Sequence, residues 1–341
     1  MNKPLKMLET RVNRTYRGGY LMDKFLRKEN AEDTFKPEDW ISSFVQAVNK
    51  NYIEGEGITS VEINGEIKPI TEVITPEDFG KDRCEPKLLT KLLDAAERLG
   101  VQVHPNAEFA MEHFGVGVGK TECWHILDTR EINGEEAVIY IGFKDHVTRE
   151  MWKELFDKQD IPGMLDAMHK FTVKKGDTIL VRSGYPHAIG AGCFLLEIQE
   201  PCDFTMRVEK VTLAGEVMTP NQIHYGVGEE KMLDCFDYTP RTRKEVEEHC
   251  FIKPVSRDGL TEIVGYKDTP CFMLEELKGS EYILNRDYFV CIVVTENGGT
   301  MEYCDTVTEL NRGDKYFVSA NCDDIILKGA TVLICCPPQI Q

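Results

Sequence analysis

Apolar positions recur along this chain in two rhythms, one helical and one suited to strands. In "EPKLLTKLLDAAERLG", Leu88, Leu89, Leu92, Leu93, Ala96 and Leu99 keep helical spacing. Pro86 suits a first turn and Gly100 a C-terminal stop, so the spacing predicts a helix over 86–100. Short apolar runs follow, "TECWHILD", "EEAVIYIGF", "DTILVRSG" and "FLLEIQ", around one amphipathic stretch, "TREMWKELFDKQDIPGMLDAMHKF". Short strands at close spacing, punctuated by Gly and Pro, predict a sandwich or barrel. Upstream, "ITSVEINGEIKPIT" carries Asn-Gly between two alternating runs, a turn signal. Residues 211–262 are polar and predict a helical or looped connection, and from 263 the strand pattern returns in "FMLEEL", "DYFVCIVV", "DKYFVSA" and "TVLICC".

The two strand-rich regions echo each other. "KKGDTILVRSGYPHAIG" and "NRGDKYFVSANCDDIILKG" both run Gly-Asp, an apolar strand ending in Val181 or Val318, then a turn with Gly184 opposite Asn321. His187 falls opposite Asp324, so a weak internal duplication leaves only the first copy equipped with an imidazole.

Charge and composition then exclude whole classes of partner. The chain has 341 residues, 42% of them hydrophobic, enough for a full core and a length that suggests two domains. Its formal net charge of −18 offers no general attraction to phosphate backbones or anionic membranes, so neither nucleic acid nor membrane is an expected partner. A single basic pocket could still hold a small anion. Twelve scattered cysteines without a Cys-x-x-Cys pair, and a start "MNKPLKMLETRVNRTYRGGY" lacking an apolar signal core, point to a reducing cytoplasm.

Within the first strand-rich region, polar residues sit in runs otherwise made of core residues. Gln102 and His104 share one strand face in "VQVHPN", and Lys120 and Glu122 share another in "GKTECW". His187 follows a Gly turn, Glu197 and Gln199 share a face, and Arg207 comes next. Two imidazoles, a carboxylate and an amide oxygen could form the N/O set that suits zinc and related divalent metals. The bland alternatives are a hydrogen-bonded structural histidine, a solvated edge glutamate and a surface lysine. His113, His125, His146, His169, His224 and His249 have no such neighbours in sequence and read as surface or core residues.

The strings "LLDAAERLGVQVHPNAEFA", "GKTECWHIL" and "GDTILVRSGYPHAIGAGCFLLEIQEPCDFTMRV" resemble class I mannose-6-phosphate isomerase, the zinc-dependent cupin family, most specifically over 88–208. "YRGG" at 16–19 is similar to the family's N-terminal Gly-Gly segment. The resemblance implies a mainly β fold with helical segments, built as two double-stranded β-helix (cupin, jelly-roll) barrels of which only the first holds a metal. That places a catalytic domain at 1–262, with 211–262 as its polar connection, and a smaller metal-free domain at 263–341. It implies zinc on Gln102, His104, Glu122 and His187, one ion per chain, with other divalent metals able to occupy the same set. It puts Lys120 and Arg207 against the substrate and makes Glu197 an acid/base participant, so that Arg207, Glu197 and Lys120 form the catalytic group. The implied reaction interconverts mannose 6-phosphate and fructose 6-phosphate, with a sugar phosphate as the small-molecule partner. Gly100 stands where the family usually has Ser, and Met206 where it has Tyr, so the metal set is whole while the phosphate contacts differ. The alternatives are an isomerase of another sugar or sugar phosphate, or a non-catalytic sugar-binding cupin.

Overall fold

Successive strand side chains point to opposite faces, so a strand covered on both sides divides its residues between two interiors. The computed structural model describes residues 1–340. Its fold is mainly β. A six-stranded antiparallel sheet runs in the order Thr178–Val181, Glu122–Thr129, Cys193–Gln199, Leu89–Asp94, Glu38–Ile41, Arg11–Val12. Beside it a five-stranded sheet runs Met168–Thr172, Val138–Phe143, His187–Ile189, Gln102–Val103, Met206–Arg207. Leu93, Trp124, Ile126 and Leu195 of the first sheet pack with Ile139, Ile141, Phe171 and Ile189 of the second in one core.

The second half repeats this layering. A seven-stranded sheet is ordered Leu5–Lys6, Lys315–Val318, Val290–Val294, Thr331–Cys336, Met273–Lys278, Leu260–Val264, Val255–Arg257. It packs on a four-stranded sheet through Val290, Ile292, Val294, Met301 and Leu327. The alternate residues Cys291 and Val293 point the other way. They face the six-stranded sheet and join Leu92, Cys123, Leu196 and Ile198 in a third core between the two halves. Four β layers therefore enclose three apolar interiors.

Two expectations meet different fates. The Asn-Gly hairpin forms between Ser60–Ile63 and Glu66–Pro69, with φ of 54° at Asn64 and 82° at Gly65, the doubly positive pair a tight two-residue hairpin turn requires. The helix expected over 86–100 does not form: Leu89–Asp94 is a strand in the middle of the six-stranded sheet, and all six of its residues are buried. A strand covered on both faces reads as a nearly continuous apolar run, and paired leucines imitate a helical stripe. The amphipathic stretch does give helices, Arg149–Lys158 and Ile161–Asp166. Within 211–262 three short helices, Pro220–His224, Glu229–Asp234 and Arg243–Cys250, are followed by strands Val255–Arg257 and Leu260–Val264.

Helices cover the outer face of the five-stranded sheet, which explains the valines around Gln102. Val101, Val103 and Met206 pack outward against Trp152, Phe156, Met164, Met232 and Leu233. The intervening Gln102 and Arg207 are thereby turned toward the sheet's inner face. The echoed strands Thr178–Val181 and Lys315–Val318 both form, but Gly184 takes a φ of 85° while Asn321 stays outside the left-handed region, so the likeness ends at the turn. Among the described residues, no helix is long and apolar enough to cross a membrane.

Candidate active site

Backbone register assembles the first half of the site. Gln102 lies opposite His187 on one side and opposite Arg207 on the other, so three polar residues from three strands stand in a row. The facing sheet contributes Glu122, whose parity with Trp124 and Ile126 points it into the same interior. His104, just past the strand, completes the set. His104, Glu122 and His187 are each at most 1% exposed.

The geometry is that of converging lone pairs. His104 Nδ1–H donates to the Phe204 carbonyl at 2.9 Å, and His187 Nδ1–H donates to the Tyr185 carbonyl at 2.8 Å. Each ring therefore presents an unprotonated Nε2, and these two nitrogens lie 3.2 Å apart. Glu122 Oε2 is 3.1 Å from His104 Nε2, and its Oε1 is 3.5 Å from His187 Nε2. The Gln102 amide sits 3.2 Å from His187 Nε2, and a half-turn of the amide places Oε1 there.

Two lone pairs at this distance repel; the Lys120 ammonium, 3.0 Å from His104 Nε2, relieves one of them, and a cation at the centre of the set would relieve both. Ligands at zinc-like bond lengths of about 2.0–2.1 Å define a tetrahedron with edges of about 3.3–3.4 Å, close to the spacings found. The backbone carbonyls behind both rings fix the tautomer a metal-binding histidine needs. The residues present thus fit a divalent cation, and His104, Glu122 and His187 form a possible metal site.

Ionisation agrees with that chemistry. Burial, reinforced by Lys120, lowers His104 to about 3, and burial lowers His187 as well, so both rings stay neutral and able to ligate. Burial alone would raise Glu122, but Lys120 and His104 hold it well below the usual carboxylate range. Lys120 Nζ lies 3.0 Å from both Glu122 Oε2 and His104 Nε2. Burial would lower this ammonium, yet Glu122 and Glu197 keep it raised.

A second buried group lies across the pocket. Glu197 stands in register with Lys91 on the neighbouring strand, and Lys91 Nζ reaches Glu197 Oε1 at 2.9 Å. Burial lifts Glu197 to about 7; Lys91 pulls it down and Glu122 pushes it up. Behind them, Glu38 accepts from Arg14 Nε at 2.9 Å, Tyr16 Oη at 2.7 Å and Trp40 Nε1 at 2.8 Å. Burial would raise Glu38, and Arg14 with Lys91 lowers it.

Gln102, His104, Lys120, Glu122, His187, Glu197 and Arg207 all line or close this one pocket, whereas Gln199 lies outside it and donates to the Glu200 and Cys202 carbonyls. The pocket also takes in Lys91, Glu38, Arg14, Arg98 and Glu209. Sequence reasoning misses those five. Lys91 is hidden in the misread helix; read as a strand, a lysine between Leu89 and Leu93 on one face is a buried cation and hence a site candidate. Charge pairing separates the pocket's cations. Arg14, Lys91, Arg98 and Lys120 each hold a carboxylate. Arg207 is half-buried and donates through Nη1 only to the carbonyls of Gln222, at 2.8 Å, and Thr205, at 3.2 Å, with no ion pair among the described residues. Gly100 lines the pocket too, and a Cβ added there would first meet Glu209 Oε1 at 3.8 Å, so the position has room for a side chain. Met206 belongs to the outer core.

No family model matches the chain. Among curated proteins it is 28% identical over 246 residues to mannose-6-phosphate isomerase ManA of Bacillus subtilis, covering 71% of this chain and 72% of that protein. It is 39% identical over 158 residues to mannose-6-phosphate isomerase of Streptococcus mutans, covering 44% and 46%. Among solved structures, the mannose 6-phosphate isomerase from Bacillus subtilis matches with a TM-score of 0.72 at 22% identity, over 98% of this chain and 99% of that one. A point mutant of phosphomannose isomerase from Salmonella typhimurium matches with a TM-score of 0.75 at 13% identity, over 98% and 100%. The resemblance seen in the sequence is borne out by these relatives, and the solved structures share the fold.

Proposed function

We propose that this chain, a relative of the mannose-6-phosphate isomerases, interconverts mannose 6-phosphate and fructose 6-phosphate in the pocket between its first two sheets. The observation that carries the reading is the joint presence of a buried donor set, a buried carboxyl poised near neutrality and an arginine without a carboxylate partner.

The reaction moves a proton between C1 and C2 of the open-chain sugar through an enediol-like state whose oxygens gather negative charge. Gln102, His104, Glu122 and His187 would hold the metal, with zinc the ion this N/O set suits. When bound, such a cation polarises and orients the two sugar oxygens. Glu197, ionised, takes the proton from C2 and returns it at C1, which needs a carboxyl with a pKa near the working pH. Arg207 faces the developing charge or the substrate's phosphate, and Lys120 holds Glu122 while lining the same pocket. The same reading carries the finer architecture of two cupin-like jelly-roll barrels, a site-bearing one at 1–262 and a site-free one at 263–341 whose large sheet borrows Leu5–Lys6, Val255–Arg257 and the start of Leu260–Val264 from the first range.

Gly100 favours one competing substrate, a sugar that lacks the 6-phosphate, because the pocket has no side chain there to contact it. Zinc-loaded protein offered mannose 6-phosphate in a coupled assay should form fructose 6-phosphate, and Arg207→Ala should lower kcat/KM by at least tenfold while metal content stays stoichiometric. Protein that holds its metal, ignores the phosphorylated sugar and converts a free hexose would replace this substrate assignment.

A further inference from the structure

The chain between 211 and 262 acquires a role from one phenol. Three consecutive residues, Asp203, Phe204 and Thr205, each grip a different part of the pocket. The Asp203 carboxylate holds Arg14, the Phe204 carbonyl accepts from His104 Nδ1 at 2.9 Å, and the Thr205 carbonyl accepts from Arg207 Nη1 at 3.2 Å. This short segment thus orients a metal-ligand candidate and the unpaired cation together.

Tyr225 fastens that segment. Its hydroxyl accepts from the Thr205 N–H at 3.0 Å and donates to the Asp203 carbonyl at 3.1 Å, closing on both sides of the Phe204 residue. Its ring stands edge-on to Phe204 at 5.3 Å, while Phe114 stacks on the Phe204 ring at 4.9 Å. The helix leading into Tyr225, Pro220–His224, starts with a reciprocal cap between Thr219 and Gln222. The carbonyl of that same Gln222 accepts from Arg207 Nη1 at 2.8 Å. One five-residue helix and the tyrosine that ends it therefore reach both His104 and Arg207 through the backbone.

We infer that Tyr225 is a positioning residue that sets the ring of His104 and the guanidinium of Arg207 in register with each other. The inference rests on the proposed isomerase reading for its kinetic part, and on the donor set alone for its metal part. A phenol that pins the peptides on either side of Phe204 fixes His104 without touching it, as outer partners of metal ligands commonly do, while it lies directly beside the Arg207 guanidinium.

Tyr225→Phe keeps the ring contacts and removes only the hydroxyl. Tyr238→Phe is the control, because Tyr238 donates to the Leu233 carbonyl at 2.9 Å from the same region and contacts no site residue. Metal retention is read by competition with a chelator, and ligand geometry by the visible absorption of cobalt-substituted protein, which reports only folded, loaded molecules. Tyr225→Phe should weaken metal retention by about tenfold, shift the cobalt bands, and lower kcat more than it changes KM; Tyr238→Phe should stay within twofold throughout. Wild-type retention and spectrum in Tyr225→Phe would overturn the inference, as would equal losses in both variants. If the metal effect appears but the wild type isomerises no hexose phosphate, the positioning role stands and the substrate assignment falls.

Discussion

Lys91 and Glu197 are opposite residues of two neighbouring strands, both at 3% exposure, and their charges decide the pH at which the pocket can work. A base must be ionised to accept a proton, so activity should rise as pH climbs through about 7, where burial has placed Glu197. Lys91 favours the ionised form. Replacing it by Met removes that help, so the acid limb of kcat/KM in Lys91→Met should move to higher pH; an unmoved limb would take the base role away from Glu197. The metal-ligand candidates are legible at this scale because the Gln-x-His, Gly-Lys-Thr-Glu and His-Ala-Ile-Gly strings set imidazole, amide and carboxylate among residues that otherwise fill the core. Lys91, Glu38 and Arg14 are not, since each finds its partner only after distant strands have been brought side by side.

The strand Leu89–Asp94 shows where local pattern misleads. Buried by sheets on both sides, it has no polar face to announce its period of two, and neighbouring leucines supply a false helical one. The Asn64-Gly65 hairpin is readable because its turn needs particular residues whatever surrounds it. Gly18, in the "YRGG" segment, is constrained differently: a Cβ there would lie 1.8 Å from the Asp94 carbonyl oxygen, at the end of that same strand. Gly18→Ala must push two backbones apart, at a cost of about 1–3 kcal/mol of the kind overpacking brings. Thermal melts should show a fall of several degrees, and an unchanged midpoint would mean that the segment is free to move away. The segment 211–262 gives no functional signal in the sequence because its Tyr225 hydroxyl and Gln222 carbonyl meet residues 203–207 only once the chain has folded, at backbone groups and an arginine that no motif links to them.

Across the whole molecule, the interior shared by the six- and seven-stranded sheets ties the site-bearing half to the half with no comparable cluster among its described residues. Lys315, from the seven-stranded sheet, forms a buried ion pair with Asp39 of the six-stranded one; they are 3% and 0% exposed. Lys315→Met would leave Asp39 buried without its counter-charge, which typically costs about 3–5 kcal/mol. The urea midpoint should drop accordingly with an unchanged slope, and a midpoint equal to wild type would show that the pair contributes little to joining the halves. The layered plan also forecasts how substitutions are distributed. Saturation mutagenesis of Val290–Val294 should reveal no permissive position, since odd and even residues serve different interiors, whereas Thr306–Glu309 on the outermost sheet should accept nearly any polar replacement. Mutational tolerance plotted along the chain would then show bands whose spacing follows the sheets, and the half without a site would be as intolerant on its inner face as the half that has one.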